Sequence, residues 1–132
     1  MKILRAASVS SQGGDPKTFT GEVVRATLGG DTAGTPVNVY RVEFTPGART
    51  HWHTHPLGQT LHVIVGVGRV QSWGGPIREI RPGDTVWIAP GEKHWHGASP
   101  ETAMEHIAMQ EQQGGEHVKW FEPVTDAQYL GK

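Results

Sequence analysis

An all-β, single-domain barrel is the fold that the sequence predicts, on three observations. Short runs of strand-forming residues alternate with turn signals from Phe19 onward, and no window of helical length carries an i, i+3, i+4 apolar stripe. Glycine (18) and proline (9) together supply 27 of 132 residues, a share that favours turns over helices. A chain of 132 residues suits one hydrophobic core, because each half of it would be too small to bury its own.

Residues 1–18 read as an N-terminal arm. Its first residues suit an edge strand, and the polar stretch 10–18 suits a loose connector. In small β-barrels such an arm often pairs with a second subunit, so a homodimer with an exchanged arm is expected. The barrel is expected over 19–132. Strands are predicted at Thr20 to Leu28, Val37 to Thr45, Thr60 to Val65, Arg69 to Trp73, Thr85 to Ala89 and Thr102 to Gln110. Between them lie Thr45-Pro46-Gly47, Gly66-Val67-Gly68, Gly74-Gly75-Pro76, Arg81-Pro82-Gly83-Asp84 and Pro90-Gly91. Each supplies positive φ or a fixed proline turn.

Strand alternation then sorts side chains into faces. On Val37 to Phe44 the charged Arg41 and Glu43 mark the wet face and leave Tyr40, Val42 and Phe44 for the interior. On Thr102 to Gln110, Met104, His106, Ala108 and Gln110 share one face; Glu105, Ile107 and Met109 share the other. Near the end, Thr125 or Asp126 can cap a short helix that begins there.

Composition removes several function classes. Twelve basic and thirteen acidic residues give a formal charge of -1 and a pI near 6.7, without the one-sided field that nucleic acid or an anionic membrane rewards. Neither is expected as a partner. The absence of cysteine excludes disulfide scaffolds, thiolate metal sites and cysteine nucleophiles, so any metal must sit on nitrogen and oxygen donors. The N-terminus, MKILRAASVSSQGG, carries an apolar run too short for a secretory signal, and no segment has the length of a membrane span. A soluble, cytoplasmic protein is expected.

The unusual feature is histidine. Seven of the eight lie between positions 51 and 106, and His51, His53 and His55 are spaced by two, which on a strand points all three to one face. Gln59 follows four residues after His55, and His94 and His96 repeat the rhythm. Two adjacent strands can therefore converge imidazoles on one interior point, as a mononuclear metal site requires. The plainer alternative is a set of ordinary surface or core histidines.

The spacing around these histidines bears on the choice. Gly47, five residues, His53-Thr54-His55, three residues, Gln59, six residues and Gly66 follow one another, and Gly83 and Pro90-Gly91-Glu92-Lys93-His94 come later. These two stretches resemble the two motifs of the cupin superfamily, G-x5-H-x-H-x3-E-x6-G and G-x5-P-x-G-x2-H-x3-N. The first matches at every spacing. The departures are Gln59 in place of Glu, a proline one residue late and adjacent to Gly91, and Ala98 in place of Asn. From Phe19 to Tyr129 the chain also resembles small bacterial cupins related to carboxymuconolactone decarboxylase-associated proteins, among them manganese-dependent hydroxynitrile lyases.

The resemblance implies a jelly-roll barrel whose metal ligands are His53, His55, Gln59 and His94. It implies one divalent transition ion, Mn²⁺ first, with Fe²⁺, Zn²⁺, Co²⁺, Ni²⁺ or Cu²⁺ as alternatives. It also places a functional histidine at His106, the candidate base for cyanohydrin cleavage. Gln59 in place of a carboxylate leaves the ion its full formal charge, which favours polarised oxygen and nitrogen ligands of a small-molecule substrate. A cupin dioxygenase and a non-enzymatic, metal-dependent binding protein are the alternative functions.

Tyr40, Val42, Thr50, His96 and Gln110 are the candidate pocket residues. Tyr40 is larger than its counterpart in the lyases that the chain resembles and is expected to act against aromatic cyanohydrins; packing of the core explains it equally. Thr50 and Gln110 read either as substrate-side hydrogen bonders or as ordinary barrel residues. His51 and His96 share the ligands' parity and are expected at the pocket rim or behind the ligands. His62 and His117 are expected to be structural or exposed, and Trp52, Trp87 and Trp95 to serve barrel packing or a subunit interface.

Overall fold

The structure, a computed structural model, describes residues 1–30 and 34–132. A 3-10 turn at Ala6–Ser8 leads into β1 (Ser11–Gly13), β2 (Phe19–Thr20), β3 (Val23–Gly29) and β4 (Val37–Phe44). There follow β5 (Arg49–Thr50), β6 (His53–Thr54), β7 (Gln59–Gly66), β8 (Gly68–Ser72) and β9 (Arg78–Ile80). The chain closes with β10 (Thr85–Ile88), β11 (His94–Ala98), β12 (Met104–Glu111), β13 (Lys119–Trp120) and the helix α1 (Asp126–Leu130). One sheet has the order β1-β3-β4-β12-β7-β10; the other runs β13-β6-β11-β5-β2, with β8 on β11 and β9 on β8. Among the described residues all strand pairings are antiparallel, which gives the all-β architecture expected of the sequence.

The core lies between the sheets. Val42, Phe44 and Met104 of the first pack with Val70, Ile80 and Ala98 of the second. Burial of each large side chain contributes roughly 1.5–3 kcal/mol, so this cluster is the main cohesive force between the layers. The alternation is as anticipated: Val42 and Phe44 are buried on β4 while Glu43 is exposed, and Met104, His106, Ala108 and Gln110 are the buried residues of β12. One end of the same interior is filled by imidazoles instead of aliphatic groups.

A second cluster covers the outer face of the second sheet. Trp52, Trp95, Val124 and Tyr129 are buried together beneath α1. On β11 the alternation sends His94 and His96 inward and Trp95 outward, so the helix is needed to cover the indole. Thr125 is the cap: its side chain accepts the Gln128 N–H at 3.1 Å, and Gln128 Oε1 accepts the Thr125 N–H at 2.9 Å. The buried Arg49 guanidinium ties the helix to the barrel by donating to the Val124 carbonyl and to Asp126 Oδ1, both at 2.8 Å.

The two outer glycines of the first motif serve different needs. Both have positive φ, 81° at Gly47 and 85° at Gly66. A Cβ on Gly47 would meet open space, but on Gly66 it would lie 1.8 Å from the Ala103 carbonyl oxygen. Gly66 is therefore required by backbone approach as well as by conformation.

Some expectations are corrected. The strand predicted at Thr20 to Leu28 is divided into β2 and β3 by a bend at Gly21, where φ is +83°. The predicted connector contains a short strand, β1, which pairs with β3, Gln12 opposite Arg25. β9 and β13 fall in segments without strand-like alternation and were not anticipated. The segment carrying His51, His53 and His55 is not one strand: β5 and β6 are interrupted at His51-Trp52, where the Trp52 N–H and C=O bond to Glu122 and Phe121. Trp52 and Trp95 serve packing as expected, whereas Trp87 is 64% exposed.

Candidate metal centre and cavity

Strand pairing brings the two motifs together. His94 on β11 stands directly opposite His53 on β6, and their ring centroids are 4.2 Å apart. His55 lies in the turn after β6, with its centroid 5.0 Å from His53 and 5.4 Å from His94. Gln59 opens β7 and directs Oε1 to within 3.1 Å of His94 Nε2. An amide oxygen and an unprotonated ring nitrogen are both acceptors, so this approach aims two lone pairs at a shared point.

Backbone carbonyls orient three of the imidazoles. Nδ1 of His53 lies 2.8 Å from the His51 carbonyl oxygen, Nδ1 of His55 2.6 Å from that of His117, and Nδ1 of His94 2.8 Å from that of Glu92. A carbonyl can only accept, so each Nδ1 carries the proton and each Nε2 presents its lone pair. His55 Nε2 is buried without a hydrogen-bond partner. A cation would satisfy it, and this donor set of three imidazoles and one amide oxygen fits a divalent transition ion.

A side-chain relay orients the fourth donor. The Gln59 amide nitrogen donates to Gln110 Oε1 at 3.1 Å, which turns Oε1 of Gln59 toward the histidines. The Gln110 amide nitrogen in turn donates to His117 Nδ1 at 3.1 Å. This type of support behind a ligand sets its direction and basicity.

His96 and His106 form a further pair, His106 Nε2 lying 3.0 Å from His96 Nδ1. The Phe44 ring packs edgewise on His106 at 5.3 Å, and the Thr50 hydroxyl oxygen accepts the His96 N–H at 3.2 Å. Ligand atoms of His53, His94 and His96 come within 4.8 Å of one another, a grouping that includes His96 and leaves His55 outside it. The His96 Nδ1 faces an imidazole, which can donate or accept, and so lacks the fixed tautomer of His53, His55 and His94.

Burial keeps these rings neutral. Desolvation lowers the pKa of His55, His94 and His106 to about 4 and holds His53 and His96 well below the ordinary value. Neighbouring imidazoles, His94 for His53 and His106 for His96, lower them further, because two cations in one dry site repel. At neutral pH all five are free bases, the form that binds metals and accepts protons.

A cavity of about 280 Å³ opens beside this cluster. His53, His55 and Gln59 line it, while His94 stands behind His53 and Gln59. Tyr40, Val42, Thr50, His96, His106 and Gln110 complete the set singled out in the sequence, and all six reach the cavity. His51 does not: the break at His51-Trp52 turns its ring against the main chain at Lys17 and Phe19, and only its carbonyl serves the site. His62 bonds Thr85 away from the cavity. His117 departs from its expected structural or exposed role, since it lines the cavity, receives Gln110 and anchors His55 through its carbonyl. Arg25 and Trp120 also line it, and no local motif marks either. Arg25 was detectable only through its parity with Val23, an inward-facing residue of β3.

Two antiparallel sheets around a histidine-lined cavity define a small β-barrel with a site able to hold a metal ion. The chain belongs to the cupin family, whose domain model matches residues 40–109. It is 53% identical over 129 residues to an (R)-mandelonitrile lyase from Granulicella tundricola, with 98% of each chain covered. A cupin-like protein from Thermotoga maritima superposes with a TM-score of 0.86 at 42% identity, covering 90% of each chain. A polyketide cyclase from Streptomyces resistomycificus shares the fold at TM-score 0.75 and 19% identity, over 98% of this chain and 90% of that one. Among the described residues no helix is long and apolar enough to cross a membrane.

Proposed function

We propose that this cupin is a metal-dependent hydroxynitrile lyase, which cleaves a 2-hydroxynitrile to a carbonyl compound and cyanide and joins them in reverse. One observation carries the reading: the uncharged side chains of His53, His55 and Gln59, with His94 packed behind them, line the cavity that His106 also lines. The 53% identity to an (R)-mandelonitrile lyase supports it. His55 is preferred to His96 as a ligand because a carbonyl fixes its tautomer, whereas His96 is engaged with His106. A bound divalent ion, Mn²⁺ first, supplies positive charge that polarises substrate oxygen and nitrogen.

The protein's own groups perform the proton transfers. His106 is a neutral base in a dry site, with Nδ1 buried without a hydrogen-bond partner and Nε2 3.0 Å from His96 Nδ1. Its unprotonated ring nitrogen takes the hydroxyl proton of the substrate. The O–H electron pair then forms the carbonyl, the C–C bond breaks, and its electrons leave with cyanide. The imidazolium returns the proton to cyanide as hydrogen cyanide, so charge and atoms balance. His96 and Phe44 hold the His106 ring, and Thr50, Val42, Tyr40 and Gln110 shape the space beside it.

The reading extends to a homodimer. Ile64 and Val65 on β7 and Trp87 on the neighbouring β10 leave apolar surface of the kind that a second copy covers, and sedimentation tests this. For the activity, metal-loaded protein is expected to release cyanide from mandelonitrile or a small aliphatic cyanohydrin. No release above buffer across several metals and substrates would overturn the lyase reading. Oxygen consumption in its place would favour a dioxygenase.

A further inference from the structure

Arg25 is a cation that the reaction scheme above does not use. It lies on β3 with Val42 beside it on β4, and Val42 in turn stands opposite His106 on β12. Arg25, Val42 and His106 thus form one row across three strands, which puts the backbones of Arg25 and His106 about 10 Å apart. All three reach the same cavity.

The guanidinium lies over the Tyr40 ring, 4.9 Å from its centroid. Stacking of this kind uses the flat face of the group and leaves its N–H edges available. Among the described residues no Asp or Glu oxygen comes within 4.0 Å of the Arg25 guanidinium nitrogens, and no side chain or carbonyl receives a hydrogen bond from them. Asp15 is the one carboxylate among the cavity-lining residues, and it is exposed at the rim, where it accepts the Lys17 N–H at 2.9 Å. The imidazoles of His53, His55, His96 and His106 beside the cavity are neutral, because burial lowers their pKa. Among the described residues the cavity therefore presents a stacked, half-buried fork of donors with no carboxylate within 4.0 Å.

We infer that Arg25, backed by Tyr40, anchors a carboxylate of the substrate, so that the preferred substrates are small 2-hydroxynitriles bearing a carboxylate group. The planar fork suits a carboxylate bidentately, and the Arg25 to His106 row sets the span between the anchored end and the reacting hydroxyl. Tyr40 then has a function besides bulk: it holds the guanidinium in the direction of the cavity. This inference rests on the lyase reading for the reaction and on Arg25 alone for the substrate class.

The test compares the cyanohydrin of succinic semialdehyde with that of the matching primary amide, two substrates of nearly equal size that differ in charge. Wild-type, metal-loaded protein is expected to favour the acid by about tenfold or more in kcat/KM, as one charge-assisted pair provides. Arg25→Gln is expected to bring the ratio near one, and Arg25→Lys, which keeps the charge without the fork, to an intermediate value. A merely structural arginine would change both substrates alike and leave the ratio in place. A wild-type ratio at or below one, or a ratio preserved in Arg25→Gln, would overturn the inference. If neither compound nor mandelonitrile releases cyanide, the lyase reading falls separately. Calorimetric titration of the metal-loaded protein with gamma-hydroxybutyrate and its amide then decides. Tighter binding of the acid that Arg25→Gln abolishes supports the anchor, and equal affinity refutes it.

Discussion

Gln59 and Gln110 are joined side chain to side chain, the Gln59 amide nitrogen donating to Gln110 Oε1 over 3.1 Å. An amide can present either end, and this bond selects the oxygen for the histidine cluster. Gln110→Leu is expected to leave Gln59 free to rotate and to weaken metal binding by about 10- to 100-fold. Competition with a chromophoric chelator measures this, and unchanged affinity would show that Gln59 needs no support.

Gln59→Glu tests the neutral donor set directly. A carboxylate there adds one negative charge beside the ion, so metal affinity is expected to rise while cyanide release falls, each by at least about tenfold. Tighter metal binding with undiminished turnover would mean that the full charge of the ion is not what the chemistry uses.

His106→Ala removes the assigned base and keeps all four assigned ligands. Cyanide release is expected to drop by about 10²- to 10⁴-fold with metal content unchanged, as read by elemental analysis. Loss of metal in this variant would recast His106 as part of the metal's support.

The buried imidazoles make metal-free protein acid-sensitive. Folded His55, His94 and His106 titrate near 4, whereas the unfolded chain takes up protons near 6.5. Between those values the unfolded state binds more protons, so stability rises with pH there and is lost as pH falls from about 6.5 toward 4. Urea unfolding at several pH values should show this decline, with little change above pH 7. Metal is expected to be retained to lower pH than ordinary histidines would allow, since protons compete poorly for these nitrogens.

The two motif glycines should respond differently to alanine. Gly47→Ala is expected to cost about 1 kcal/mol, for positive φ alone. Gly66→Ala adds a collision with the Ala103 carbonyl and is expected to cost about 3 kcal/mol or more. Denaturant melts of the two variants give the comparison, and equal losses would show that the β7 to β8 turn relaxes.

Strand content, inward faces and the main histidine set were all legible in the chain, because a period of two and a glycine at a turn act over a few neighbouring residues. Met104, His106, Ala108 and Gln110 could thus be placed on one face of β12 before any pairing was known. Contacts across the barrel were not legible in that way. The break at His51-Trp52 depends on Glu122 and Phe121, the role of His117 on Gln110 and His55, and the cavity position of Arg25 on strand register with β4. Local order follows from backbone geometry that each short segment carries with it. Which side chains then share one dry space follows from how distant strands pair, and pairing is a property of the whole folded chain.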